Sequence, residues 1–472
     1  MGRSIGTPEA VPAGRISDTV SGSIIRATWR SGKLTHALAE DGLSAEYEIR
    51  YQIGAGKVGH SYAALVGDTL VESPASYFER FGWDLSPGFA GKEILDFNRV
   101  LTDRCLFCHT QGGNEKGELA AIGCERCHGA TSEHVMHPSA ANVINPSRLG
   151  TRARDSICEQ CHLEGLARIV NPGRSLSDFR PGMALETTLA IYVARENEGN
   201  VTAVSQVEQL ALSKCATVSA GRLWCGTCHQ PHARVSDRKR EIKVICTSCH
   251  ATLSQGRQHL DAVECVACHM PSRKPSDVAH AALTDHRIRV VESEAAVANA
   301  APHELRAWYE PSADMRQRDL GLADLEAAAR AGFQALGEAG ADLLESLPEA
   351  QRSGDAPVLA ALGDVELARG QAGKAALLFR RAAELKPTAG ELAMYFGISL
   401  KQAGDLEGAV RELGRAVQLN PALEQAALAL ADVYAKRGQS GEASRVLSDS
   451  LKWNRQSILV RLTQGTLTMG KK

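Results

Sequence analysis

Six times between residues 105 and 269 the chain repeats one pattern: two cysteines three positions apart, with a histidine directly after the second. The copies are "CLFCH" (Cys105, Cys108, His109), "CERCH" (Cys124, Cys127, His128) and "CEQCH" (Cys158, Cys161, His162), then "CGTCH" (Cys225, Cys228, His229), "CTSCH" (Cys246, Cys249, His250) and "CVACH" (Cys265, Cys268, His269). They take up twelve of the thirteen cysteines. From the chain's own composition roughly 0.01 copies would arise by chance, so the pattern reads as a c-type haem signature. Two thiols at this spacing can each add to one vinyl group on a single porphyrin edge. The next residue then lies under the ring with its imidazole aimed at the iron. Six covalently attached haem c groups are therefore expected, each fixed together with its proximal ligand.

Other thiol chemistries explain less. A zinc ribbon closes its tetrahedral site with four ligands and does not require histidine after every pair. Disulfides leave the six histidines without a role. A thioredoxin-like motif occurs once per domain, at a strand-helix boundary. The remaining thiol, Cys215, reads as a small half-apolar residue of the interior.

Aromatic residues make up only 5% of the 472 residues, although 44% are hydrophobic, so the haem groups themselves are expected to fill part of the core. The net charge of -2, with opposite signs interspersed, gives no support to a nucleic-acid footprint. No run of eighteen apolar residues predicts a transmembrane segment. The first fifteen residues show no apolar h-region, so no signal peptide is visible. Thioether haem attachment takes place outside the cytoplasmic membrane, and the expected location is therefore periplasmic or extracellular.

The expected fold class is mainly α, in four parts. Residues 1–99 form a β-rich N-terminal segment. "IIRATWR" and "KLTHALA" flank a turn at Ser31-Gly32, "EYEIRYQI" alternates with Tyr47, Ile49, Tyr51 and Ile53 on one face, and "SYAALV" and "TLVES" flank Gly67-Asp68. A small sheet packed against the haem region is predicted. Residues 100–295 form a hexahaem domain with little regular structure, and 296–354 a helical connector. Residues 355–472 carry a repeat of period 34: Gly363, Gly397 and Ala431; Gly370, Gly404 and Gly438; Ala375, Ala409 and Ala443; Pro387 and Pro421. This is the period and small-residue pattern of tetratricopeptide repeats (TPR). The small positions let paired helices approach while Phe379, Leu413 and Leu447 fill the space between them.

Nine histidines remain after the proximal six. An electron-carrying haem takes a second strong axial ligand. The candidates are His60, on a glycine-rich loop, and His134, His232, His259, His280 and His286, among the motifs. His134 and His137 compete for one role. His36 on a strand and His303 at a helix start are set aside. His232 follows its own proximal histidine by three residues and leaves on the same side of that ring, so it can bind only a different haem.

"CERCHGATSEHVMHP", "WCGTCHQPHA" and "CVACHMPSRKPSDVAHAALTDHRI" resemble segments of multihaem c-type cytochromes with C-terminal tetratricopeptide repeats. The resemblance covers roughly residues 50 to 290 and 355 to 457. It implies bis-histidine haems packed in contact, with His134, His232, His280 and His286 as distal ligands. The expected function is electron transfer, with the repeats or an exposed haem edge docking a redox partner protein. The alternative is a multihaem reductase or oxidase of small nitrogen or sulfur oxyanions with one open iron position. A third reading is a redox sensor in which the haem part controls partner binding to the repeats.

Overall fold

The computed structural model describes residues 4–54, 58–111, 119–195, 201–232, 239–250, 265–289 and 304–469, with the backbone alone at 239–241, 331, 468 and 469. These residues fall into two compact units. One contains 5–105 and 310–469; the other contains Ser4, 106–111 and 119–309.

The first unit joins the β-rich N-terminus to the C-terminal helices. Strands Gly14–Ser17, Ile24–Arg30, Lys33–Glu40, Leu43–Ile53, Gly59–Val66, Thr69–Glu72 and Arg99–Val100 lie side by side in chain order, all antiparallel. Ser31 and Gly32 both take positive φ, 50° and 78°, so a two-residue turn closes the second hairpin at Arg30 and Lys33 as its residues predict. Val66 and Thr69 pair across the Gly67-Asp68 turn. On the strand Leu43–Ile53, Ala45, Tyr47, Ile49 and Tyr51 are buried and the residues between them exposed. A register shift between Ile49 and Tyr51 ends the alternation, and Gln52 is buried where Ile53 was expected.

The sheet is larger than expected, and the element its apolar face covers is a C-terminal helix. Leu38, Tyr47, Tyr62, Val71 and Phe97 share one core with Ile458, while Trp453 and Leu462 pack at its edge. A fully buried side chain of this size contributes roughly 1.5–3 kcal/mol. Side-chain bonds add polar anchors: Tyr47 donates to Asn454 Oδ1 at 2.8 Å, and Ser457 Oγ donates to Asp96 Oδ2 at 3.0 Å.

Residues 356–469 form an array of antiparallel helices: Ala356–Ala368 with Ala372–Leu385, Gly390–Gln402 with Leu406–Leu419, Glu424–Lys436 with Ser440–Trp453, and a final Ile458–Met469. The period of 34 has a steric basis. A Cβ on Gly363 would lie 2.7 Å from the Phe379 ring, and one on Gly397 would lie 2.6 Å from Leu413 Cγ. Gly370, Gly404 and Gly438 take φ of 74°, 88° and 72°, the left-handed conformation that ends the first helix of each pair. The second helices stop at Leu385 and Leu419, two residues before the prolines. The expected connector contains a further helical hairpin, Arg316–Ala331 with Gln334–Glu345, whose backbones meet at Gly321 and Gly340. Asp355 caps the helix that follows, accepting from Val358 N at 3.1 Å, and pairs with the buried Arg318 at 2.6 Å.

The second unit holds the cysteine motifs. Among the described residues its regular structure is short helices, a three-stranded antiparallel sheet of Ala167–Val170, Leu189–Ala194 and Leu305–Ala307, and a two-stranded ladder of Ser272–Arg273 with Leu283–Thr284. Phe107, Leu163, Phe179, Leu185 and Ile191 form a small core around that sheet.

Candidate functional site

Each motif lies on a helix, in two arrangements. Cys225–Cys228 and Cys265–His269 open at their first cysteine, and Glu125–His128 starts one residue after Cys124. The others close their helices: Cys158, Cys161 and His162 form the last turn of Thr151–His162, and Cys246 and Cys249 that of Lys239–Cys249, with His250 next. Cys105, Cys108 and His109 likewise end Asp103–His109. In these three the cysteines thus close a helix rather than open one. Helical i, i+3 spacing still puts both thiols on one face.

The motifs are neighbours. The Cys108 thiol hydrogen-bonds Cys161, and Cys158 hydrogen-bonds Cys225. Cys246 does the same with Cys265. The Cys161 hydrogen bond and the Arg168 guanidinium hold the Cys108 thiol below the usual thiol range. Among the described residues no three His, Cys, Asp or Glu side chains converge as a zinc site requires.

Two of the histidines behind the cysteine pairs share a feature that no residue pattern announces. His128 Nδ1 lies 2.7 Å from the Ile144 carbonyl oxygen, while Ile144 N donates back to the His128 carbonyl at 3.2 Å. His269 is clamped in the same way: Nδ1 lies 2.7 Å from Arg289 O, and Arg289 N donates to His269 O at 3.0 Å. Gly129 makes the first clamp possible. Its φ of 73° turns the chain directly behind His128, and a Cβ there would press on Ile144 at 3.2 Å. His162 Nδ1 reaches Gln206 Oε1 at 3.3 Å, and the His109 ring hydrogen-bonds the Ser4 backbone. A carbonyl oxygen only accepts, so Nδ1 of His128 and of His269 carries a proton, and the neutral ring presents its lone pair at Nε2. Metal-bound histidines are held in this manner. Burial lowers the proton affinity of His109, His162 and His286, favouring the neutral ring that a metal needs. The donor set thus fits an iron porphyrin, which asks only two axial nitrogens and two thiols of the protein.

Two histidine pairs lie close together with near-parallel ring planes. His128 and His232 have ring centroids 5.7 Å apart with planes 14° from parallel; His229 and His286 are 6.1 Å apart at 22°. Each pair joins a proximal histidine to one of the expected distal ones. His286 Nδ1 is 2.8 Å from Thr284 O. His134, on the helix Ser132–Met136, places Nδ1 3.1 Å from Ser139 O and 3.0 Å from Asn142 Oδ1. His137 is exposed at the end of that helix, so His134 is the better held of the two competitors. His280 occupies a turn at φ 56°. His259 and His303 lie outside the described residues.

His60 is not on a loop. It lies in the strand Gly59–Val66, buried, opposite Tyr77 and 3.4 Å from Glu79. The alternation of the following apolar residues could have signalled this, since the strand continues through His60. His36 is fully buried on its strand, with Nδ1 2.7 Å from Ser73 Oγ and its pKa lowered to about 3 by burial.

Residues 400–465 match the family model described as "Tetratricopeptide repeat". No curated protein matches the chain. Among solved structures, the crystal structure of MamA is similar at 18% identity and a TM-score of 0.28, over 30% of this chain and 82% of that one. YrrB, titled a TPR protein with an unusual peptide-binding site, is similar at 18% identity and a TM-score of 0.27, over 31% of this chain and 74% of its own. The C-terminal part of the chain carries a tetratricopeptide repeat.

Proposed function

We propose that this chain is an exported multihaem c-type cytochrome that transfers electrons, with its repeats docking a redox partner protein. Six covalent haem c groups are held by the paired cysteines from Cys105 to Cys268. His109, His128, His162, His229, His250 and His269 are the proximal ligands, and His134, His232, His259, His280 and His286 are distal candidates, with His60 the least supported of the original set. The observation that carries this reading is the fixed presentation of the proximal rings. His128 and His269 hold Nδ1 against backbone carbonyls, the orientation and tautomer in which metal-bound histidines are held.

Bound haem supplies one-electron ferric-ferrous chemistry. The chain's own contribution is to hold each imidazole in one orientation and tautomer, so that little rearranges when charge changes. The thiol contacts among the first, third and fourth motifs, and between the fifth and sixth, would bring neighbouring groups close. Stacked helical repeats generally offer a groove for a protein segment, which suits partner docking.

Spin-state spectroscopy of the haem-loaded protein, with and without nitrite or hydroxylamine, tests the carrier reading. Wholly low-spin ferric spectra that ignore both additives are expected. A high-spin component that shifts on addition would transfer the proposal to the reductase or oxidase alternative.

A further inference from the structure

We infer that the eight residues Cys225–His232 serve two haems at once: His229 and His286 form one axial pair, and His232 completes the haem of the second motif by facing His128. This rests on the haem reading above and goes beyond it by stating which motif receives which distal ligand.

Three observations carry the wiring. An iron about 2 Å from a nitrogen on each side separates the centroids of two imidazoles that point at it from opposite sides by roughly 6 Å. The 5.7 Å of His128 and His232 and the 6.1 Å of His229 and His286 match that separation. One member of each pair has its Nδ1 proton committed to a carbonyl, His128 to Ile144 and His286 to Thr284, so its free lone pair is on Nε2. Finally, His229 and His232 belong to different pairs, as three residues of chain leaving one side of a ring require. The same short segment therefore pins two irons at a spacing set by three peptide units, an extended reach of about 10 Å. Electrons would pass between the second and fourth motifs without crossing a third.

The near-parallel ring planes add a spectroscopic signature. Two parallel imidazoles split the iron d orbitals in-plane and give a rhombic low-spin signal, whereas perpendicular rings give a highly anisotropic one. Both of these haems are expected in the rhombic class.

The test uses the full chain, exported and haem-loaded, with H232M, H286M, and H232M combined with C124A/C127A. H232M should raise the midpoint potential of one haem, since methionine ligation favours the ferrous state. It should also remove one haem's share of the rhombic signal, although the change lies in the fourth motif. With the second motif's cysteines replaced, H232M should change nothing further. A silent H232M, or an effect that persists without the second haem, overturns the wiring. If the cysteine variant does not accumulate, H232M and H286M decide alone: each must alter a different single haem, and the two effects must add. Absence of any haem in the unaltered protein would instead refute the parent reading, before any variant is compared.

Discussion

Replacing Glu424 with glutamine should flatten the pH dependence of the sheet-and-helix unit. Glu424 and Asp96 are 4% and 2% exposed, and Ser457 Oγ lies between them, 3.2 Å from Glu424 Oε2 and 3.0 Å from Asp96 Oδ2. A hydroxyl has one hydrogen and cannot donate to both. One carboxyl must therefore carry a proton. Burial raises the pKa of Asp96 too, but hydrogen bonds from Leu459 N at 3.0 Å and Phe97 N at 2.8 Å oppose that rise and favour its ionised form over that of Glu424. The proton belongs on Glu424, whose pKa burial and the neighbouring Asp96 push up to about 8. Between the usual 4.5 and about 8, the folded chain keeps a proton that the unfolded chain releases. The contribution is thus fully present below the unfolded value and is lost as pH rises through the folded one. At about 1.4 kcal/mol per pH unit, the loss across that window is on the order of 3–5 kcal/mol. Urea unfolding followed by helical circular dichroism from pH 5 to 9 measures it. The unaltered protein should lose stability over that range, while E424Q, which keeps only the other buried carboxyls such as Asp364, loses less and exceeds it at pH 8.5 by about 2–4 kcal/mol. Parallel curves for the two proteins would refute the assignment of the buried proton.

Three other outcomes follow from the geometry. G397A should destabilise, because a Cβ would sit 2.6 Å from Leu413 Cγ, whereas G414A, with nothing within 4 Å, should gain from helix propensity; chemical denaturation should separate the two by about 1–3 kcal/mol. R318A should cost about 3–5 kcal/mol by leaving Asp319 and Asp355 buried without their cation, read in the same assay. Gln206 Nε2 donates to Ala203 O at 2.9 Å, which aims Oε1 at His162; Q206E should make that imidazole more basic and lower the potential of one haem in a spectroelectrochemical titration.

The parts of the molecule legible in the sequence are those set by local rules. Ser31-Gly32 demands a two-residue turn, and glycine at 363 and 397 with Phe379 and Leu413 demands close helix pairs, because a single turn or a single helix pair determines each. The partner of the sheet was not legible. Alternation at Tyr47 and Ile49 says which face is apolar and nothing about what covers it; the cover, Ile458, lies some 400 residues away. The haem-motif region divides in the same way. Cysteine and histidine spacing singled out the thiols and the histidines behind them, whereas the closeness of His232 to His128 depends on tertiary placement. The carbonyls of Ile144 and Arg289 carry no side-chain signal, so the clamps on His128 and His269 needed coordinates. His60 was misplaced because three nearby glycines suggested a loop, whereas tertiary pairing with Tyr77 extends the strand through it.

Counting haems by mass tests the central claim most directly, because thioether-linked groups survive denaturation. The chain is exported from a host able to attach haem c, unfolded, and weighed intact. Six added haem masses are predicted, one for each cysteine pair from Cys105 to Cys268. Fewer than five would contradict the account.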